Sequence, residues 1–193
     1  MGHGLAGSGP DSRLGLPPVR RAFGDGSDGD LRAAERTVAE VLGDLPLDFQ
    51  ALAVVSNIFR AATAARAYLE RTVLAKHRLS WTAFFSLFVL RVWGELELRE
   101  LAREVGVTPG TLSGVVDTLE RRRFVKRVPH PTDGRRVIIR PLAAGRRALE
   151  AVIVRFNEEE SFITKELGAD GRDELARLLR RVLRTLDDTE PRA

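Results

Sequence analysis

Apolar residues recur at helical spacing along most of this chain. Leu31, Ala34, Val38, Val41 and Leu42 predict a short helix, ended by Gly43, Asp44 and Pro46. Leu52, Val55, Phe59, Ala62, Ala65 and Leu69 then recur at threes and fours. They predict a long helix from Asp48 to about Lys76, opened by an aspartate that suits the helix dipole. Its length points to a helix that spans a dimer. Ser80 is a good N-cap for a helix over Trp81–Trp93, which is apolar nearly all round and so must be central, with Gly94 ending it.

Beyond Gly94 the pattern shortens. A short helix over Leu98–Val105, a turn at Gly106 and a second helix from Thr108 to about Arg123 precede two runs that read as strands, Val125–Val128 and Val137–Ile139. His130-Pro131-Thr132-Asp133-Gly134 between them reads as a hairpin tip. A long helix from Ala143 to about Leu167 follows. The last helix, from Asp170 or Gly171 to Asp187, carries Leu175, Leu178, Leu179, Val182, Leu183 and Leu186 as an apolar stripe.

The first 30 residues behave differently: they hold eight of the 17 glycines, with Pro10, Pro17 and Pro18, and no apolar period. They read as a disordered leader. The expected organisation is therefore a leader at 1–30, a short helical extension and linker at 31–46, N-terminal helices at 47–93, a helix-turn-helix with its hairpin at 94–142, C-terminal helices at 143–187 and a tail at 188–193. The fold class is mainly α with a small β-hairpin.

Composition narrows the function. At 193 residues, 44% hydrophobic and 30% charged, the chain suits one ordinary globular domain. The longest nearly apolar run, Ala83–Leu90, is far short of the roughly 20 residues a spanning helix needs. No apolar stretch of signal-peptide length opens the chain, so a cytoplasmic location away from the membrane is expected. The absence of cysteine removes disulfides, thiolate nucleophiles and cysteine–zinc sites together. His3, His77 and His130 are too scattered for a transition-metal site. There is no glycine-rich phosphate loop and no Gly-x-Ser-x-Gly element, and Glu158-Glu159-Glu160 point different ways around a helix. Neither an enzyme nor a cofactor or metal is expected.

Charge is concentrated. The net charge is only +4, yet between Arg121 and Arg140 eight basic residues face a single acid, Asp133. Such a stripe attracts a polyanion even on a nearly neutral chain. It follows directly on a segment punctuated as a helix-turn-helix. Ala102 is small where two helices must cross, Gly106 supplies a positive φ, Thr108 can cap the second helix, and Pro109 sits at its first position. Leu112, Val115, Val116 and Leu119 fall on one face of that helix. Gly110, Ser113, Gly114, Asp117 and Arg121 fall on the other, whose small side chains near the helix N-terminus would let the backbone lie deep in a DNA major groove. Thr111 and Ser113 can donate to phosphates or base edges. An arginine beside the hairpin tip can enter the minor groove, with Asp133 holding the Arg135 guanidinium.

These residues carry a resemblance. Leu101-Ala102, Gly106-Val107-Thr108, Thr111 to Leu119-Glu120 and Pro131-Thr132-Asp133-Gly134-Arg135-Arg136 resemble the winged helix-turn-helix regulators of the MarR (multiple antibiotic resistance regulator) family, over about Leu47 to Leu186. The resemblance implies a recognition helix over Thr108–Thr118, a wing bearing Asp133 and Arg135, and dimerisation through the first long helix and the last two. It implies a repressor relieved by a small, often phenolic or aromatic, acid. Two departures stand out. Arg123-Phe124 replaces the family's usual Gly-Leu, and Pro141-Leu142-Ala143-Ala144-Gly145 lacks the threonine cap usual after the wing, so a frayed or re-angled helix start is expected.

The expected partner is an inverted repeat in double-stranded DNA, bound by a homodimer whose recognition helices sit about 34–36 Å apart. The candidate contacts are Thr108, Pro109, Gly110, Thr111, Ser113, Gly114, Asp117 and Thr118, with Arg121, Arg122, Lys126, Arg127, Asp133, Arg135 and Arg136 on backbone or wing. Candidate effector-pocket residues are Trp81, Phe84, Phe85 and Phe88 as walls, with Arg66, His77 and Arg91 as partners of an acid. The rival expectation is a winged helix that binds protein and not DNA; it gives no reason for the basic stripe.

Overall fold

The central apolar helix forms where its pattern demands, and the helix-turn-helix is assembled around it. The computed structural model describes residues 28–187. The tail at 188–193 and the leader, except Asp28 to Asp30, lie outside the described residues. In chain order the elements are α1 (Asp28–Leu42), α2 (Phe49–Thr72), a 3-10 turn (Leu74–His77), α3 (Trp81–Trp93), β1 (Leu96–Glu97), α4 (Leu98–Val105), α5 (Pro109–Arg121), β2 (Val125–Pro129), β3 (Val137–Pro141), α6 (Ala143–Ile163), a second 3-10 turn (Lys165–Leu167) and α7 (Gly168–Asp187).

The described residues divide into two compact units, one ending at Ala61 and the other beginning at Ala62. In the first, the Asp48 carboxylate accepts from the Ala51 N–H at 3.0 Å and so caps the start of α2. The Asn57 amide donates to Glu35 at 2.7 Å. Val54, Val55 and Phe59 remain exposed.

In the second unit the core is built on α3. Ser80 caps it, accepting from the Ala83 N–H at 3.2 Å. Phe84, Leu87 and Leu90 are buried with Leu101 and Ala102 of α4, Leu112, Val116 and Leu119 of α5, Val125 and Ile139 of the sheet, and Leu149, Val152 and Phe156 of α6. The rings of Phe84 and Phe156 stack at 4.3 Å. Glu159, a buried carboxylate, accepts from the Tyr68 hydroxyl at 2.7 Å and pairs with Arg155. That hydrogen bond is the main reason the Tyr68 hydroxyl is held above its ordinary pKa. Along α7, Leu175, Leu178, Val182, Leu183 and Leu186 stay exposed.

Three expectations are revised. The long first helix ends at Thr72: Val73 (φ −118°, ψ −62°) stays in the right-handed region, its N–H still reaching the Leu69 carbonyl at 3.0 Å, and the chain then tightens into the 3-10 turn, with Val73 and Leu74 buried. The helix after the wing stops at Ile163, before its own 3-10 turn, and α7 begins at Gly168. The hairpin is part of a three-stranded antiparallel sheet of order β1-β3-β2, with Leu96 opposite Ile139 and Val125 opposite Pro141. Two residues are too few for β1 to show a period.

Candidate nucleic-acid interface

The turn between α4 and α5 works as its residues require. Gly106 adopts φ 73°, and the Val107 N–H returns to the Ala102 carbonyl at 2.9 Å, closing α4. Thr108 caps α5 by accepting from the Thr111 N–H at 3.2 Å, and its hydroxyl shares a 2.9 Å hydrogen bond with that of Thr111. With Leu112, Val116 and Leu119 buried, α5 turns outward Pro109, Gly110, Thr111, Gly114, Asp117, Thr118 and Arg121. Nothing lies within 4 Å of a Cβ built on Gly114. This is a smooth, narrow outer face.

The basic residues divide into two groups. Arg127 is engaged inside the fold: its guanidinium meets Asp117 and Glu120, each at 2.7 Å, and donates to the Ser113 carbonyl at 3.0 Å and hydroxyl at 3.2 Å. The Arg127 N–H bonds Glu120 at 2.8 Å, and this bond is the first reason the Glu120 carboxyl lies below its ordinary pKa. Arg122 donates to the Arg78 carbonyl at 2.7 Å and the His77 carbonyl at 3.2 Å. Arg136 pairs with Glu97, one of its contacts spanning 2.8 Å. Arg121 donates to the Thr118 hydroxyl at 2.9 Å. In contrast, the side chains of Arg123, Lys126 and Arg135 are exposed, with no hydrogen-bond or ionic partner among the described residues.

The wing is tied down locally. The His130 N–H donates to the Arg136 carbonyl at 3.1 Å, and the Arg136 N–H to the Asp133 carbonyl at 3.0 Å. The Asp133 carboxylate accepts from the backbone N–H of Arg135 at 3.0 Å, an Asx-turn that commits it to the main chain. The expected grip of Asp133 on the Arg135 guanidinium is not formed, and that side chain stands free at the tip. The residue that the sequence reading missed is Glu97. It holds Arg136, lies 3.8 Å from the His130 ring, and its own N–H donates to Glu100 at 3.1 Å at the start of α4. An acid one position before the helix was the available signal.

The expected fraying of α6 is also corrected. Leu142 offers no side-chain cap, but its N–H donates to the Phe124 carbonyl at 2.9 Å, and Gly145 packs directly against the Phe124 backbone. A main-chain junction replaces the missing threonine. Next to it, Arg123 occupies the left-handed region at φ 56°, the conformation that a glycine would take without strain.

The MarR family profile matches residues 79–137. The uncharacterized HTH-type transcriptional regulator YwaE of Bacillus subtilis (strain 168) is 33% identical over 162 residues, covering 82% of this chain and 95% of YwaE. The chain belongs to the MarR family. It is thus a transcriptional regulator of the winged helix-turn-helix type. Among solved structures it is similar to the PcaV regulator from Streptomyces coelicolor in complex with its natural ligand (27% identity, TM-score 0.58, 70% of this chain and 93% of that one). It is also similar to BpsR of Bordetella bronchiseptica, whose DNA binding is regulated by 6-hydroxynicotinic acid (25% identity, TM-score 0.61, 67% and 97%).

In this MarR-family chain the residues read as pocket walls form a packed ring cluster. Trp81 and Phe85 lie 4.6 Å apart, Phe85 meets Phe84 edge-on at 5.5 Å and Phe88 at 6.2 Å. Phe84 is fully buried, while Phe88 is exposed. The polar candidates are spread out: Arg66 lies over the Trp81 ring at 5.7 Å and beside Glu70, Arg91 faces Glu150 at 3.8 Å, and His77 offers its carbonyl to Arg122. No described helix is long and apolar enough to cross a membrane. The described residues hold no group of His, Asp or Glu arranged to bind a metal.

Proposed function

We propose that the chain acts as a homodimer on an inverted repeat in double-stranded DNA and represses transcription from it in the cytoplasm. The smooth outer face of α5 enters the major groove, and Arg135 reaches the adjoining minor groove. One observation carries this reading most directly: Gly110, Thr111 and Gly114 make an uncluttered outward face on α5, in the same winged motif as the free Arg135 guanidinium. Thr108, Pro109, Ser113, Asp117 and Thr118 line or brace that face, while Arg121, Lys126 and Arg123 supply phosphate contacts. The exposed leucines of α7 and its Val182, with the N-terminal helices, form the dimer contact, since a surface stripe this apolar is ordinarily covered.

The same reading includes a small aromatic acid as effector, as the named regulation of BpsR suggests. It would lodge beside Phe88, Trp81 and Phe85 with Arg66, His77 or Arg91 as anionic partner, and it would weaken DNA binding by preferring the DNA-incompetent state.

Selection of bound sequences from random duplex tests the DNA partner and the dimer together, because a dimer returns a palindromic consensus. On that consensus the affinity should fall steeply with salt, and Arg135→Ala should lower the slope by about one. A chain that retains no duplex at low salt refutes the proposal. Titration of 6-hydroxynicotinic acid and hydroxybenzoic acids into the complex tests the effector; no release by any of them removes that part.

A further inference from the structure

We infer that Arg122 is a positioning residue that fixes the angle of the recognition helix α5, and that it is not a phosphate contact. The inference rests on the DNA-binding reading above. Arg122 is the residue at which α5 stops. Its guanidinium bridges two carbonyls, those of His77 and Arg78, at the end of the 3-10 turn that joins α2 to α3. Carbonyls at the end of a helical turn lack partners along the chain, so a planar fork with two donors answers both at once. The reversal at Arg78, which takes a left-handed φ of 52°, presents them side by side.

The central carbon of the same guanidinium lies over the Phe124 ring, 4.3 Å from its centre. Phe124 is itself fixed in the main chain. Its N–H donates to the Leu119 carbonyl at 2.9 Å, its carbonyl accepts from the Leu142 N–H at 2.9 Å, and Gly145 packs against it. Arg122 therefore lies where the exit of α5, the corner before α3 and the start of α6 come together. All three attachments hold the guanidinium within the fold, and a side chain so engaged is not free to follow DNA. The exposed arginine next to it, Arg123, has no such attachments.

Charge and position are separable by substitution. Arg122→Lys keeps the charge but cannot bridge two carbonyls while stacking on a ring. Phe124→Leu leaves every charge in place and removes the stacking partner. Binding of the selected operator and of unrelated duplex would be measured across salt for wild type, R122K, R122A and F124L, with thermal unfolding as a folding control. The expected result is about a tenfold loss of operator affinity for all three variants, with the wild-type salt slope and unchanged binding to unrelated duplex. R122K that binds as wild type, or R122A that lowers the slope by about 0.9, overturns the inference and returns Arg122 to the phosphate contacts. Should one variant unfold, the remaining ones decide the matter by the same two readings. A wild-type chain that binds no duplex is a different outcome: it removes the DNA reading itself, and the role assigned to Arg122 with it.

Discussion

A Cβ built on Gly145 would stand 2.3 Å from the carbonyl oxygen of Phe124. The obstacle is main chain, already held by the Leu142 N–H, and cannot swing aside as a side-chain tip would. Gly145→Ala is expected to lower stability by about 1–3 kcal/mol, the usual cost of overpacking. Urea denaturation would read it as a lower midpoint at unchanged slope; an unchanged midpoint would mean that the start of α6 is free to shift.

Arg123 offers the opposite case. An L-residue at φ 56° costs roughly 1–2 kcal/mol, of which glycine's greater freedom in the unfolded chain takes back about 0.5–1. Arg123→Gly should therefore raise stability by about 0.5–1 kcal/mol. A fall in the urea midpoint would contradict this account of the backbone.

Glu120 sets an acid sensitivity. Its folded-state pKa is lowered from 4.5, first by the Arg127 N–H, so it favours folding fully above that value and loses the contribution as pH falls below it. Glu120→Gln should flatten the stability profile below about pH 4.5 and leave the variant less stable than wild type at neutral pH. Denaturation midpoints taken from pH 7 down to pH 3 would check both; parallel curves for the two proteins would exclude the mechanism.

Phe84 separates core from pocket. Buried and stacked on Phe156, it should cost about 3–5 kcal/mol when cut to alanine. Phe88→Ala, at an exposed position, should cost far less. Calorimetry that ranks the two equally would mean the ring cluster is looser than described.

Glu97 and Arg136 should be energetically coupled. A double-mutant cycle with alanine at each position is expected to give about 1 kcal/mol, as for residues in direct contact. Independent effects would show that the wing does not depend on this pair.

Helix positions were legible where apolar residues and end signals agreed. The all-round apolar run of α3, with its Ser80 cap, and the full extent of α4, closed by Gly106, were read directly, because burial and capping each leave a mark in the residue types. Leu96–Glu97 left no such mark, since two residues have no period, so β1 and the grip of Glu97 on Arg136 appear only in three dimensions. The basic stripe was legible as charge but not as geometry. Arg122, Arg127 and Arg136 look in sequence like Arg123 and Arg135, and what separates them is which carbonyl or carboxylate the fold brings within reach. Likewise, Asp133 was correctly placed at the turn, but whether a short carboxylate meets a guanidinium or a main-chain N–H depends on dihedral angles that composition does not encode.

The bare positions on the outer side of α5 also bear on how this regulator can change. Around Gly114 a new methyl group would meet no atom within 4 Å, and at Gly110 only the Thr108 hydroxyl at 3.9 Å. Larger residues there would improve helix propensity by up to about 1 kcal/mol each, so the scaffold does not resist them. On the proposed reading of α5, retargeting to another promoter is accordingly open to single-codon changes at these two sites, which the rest of the molecule leaves alone.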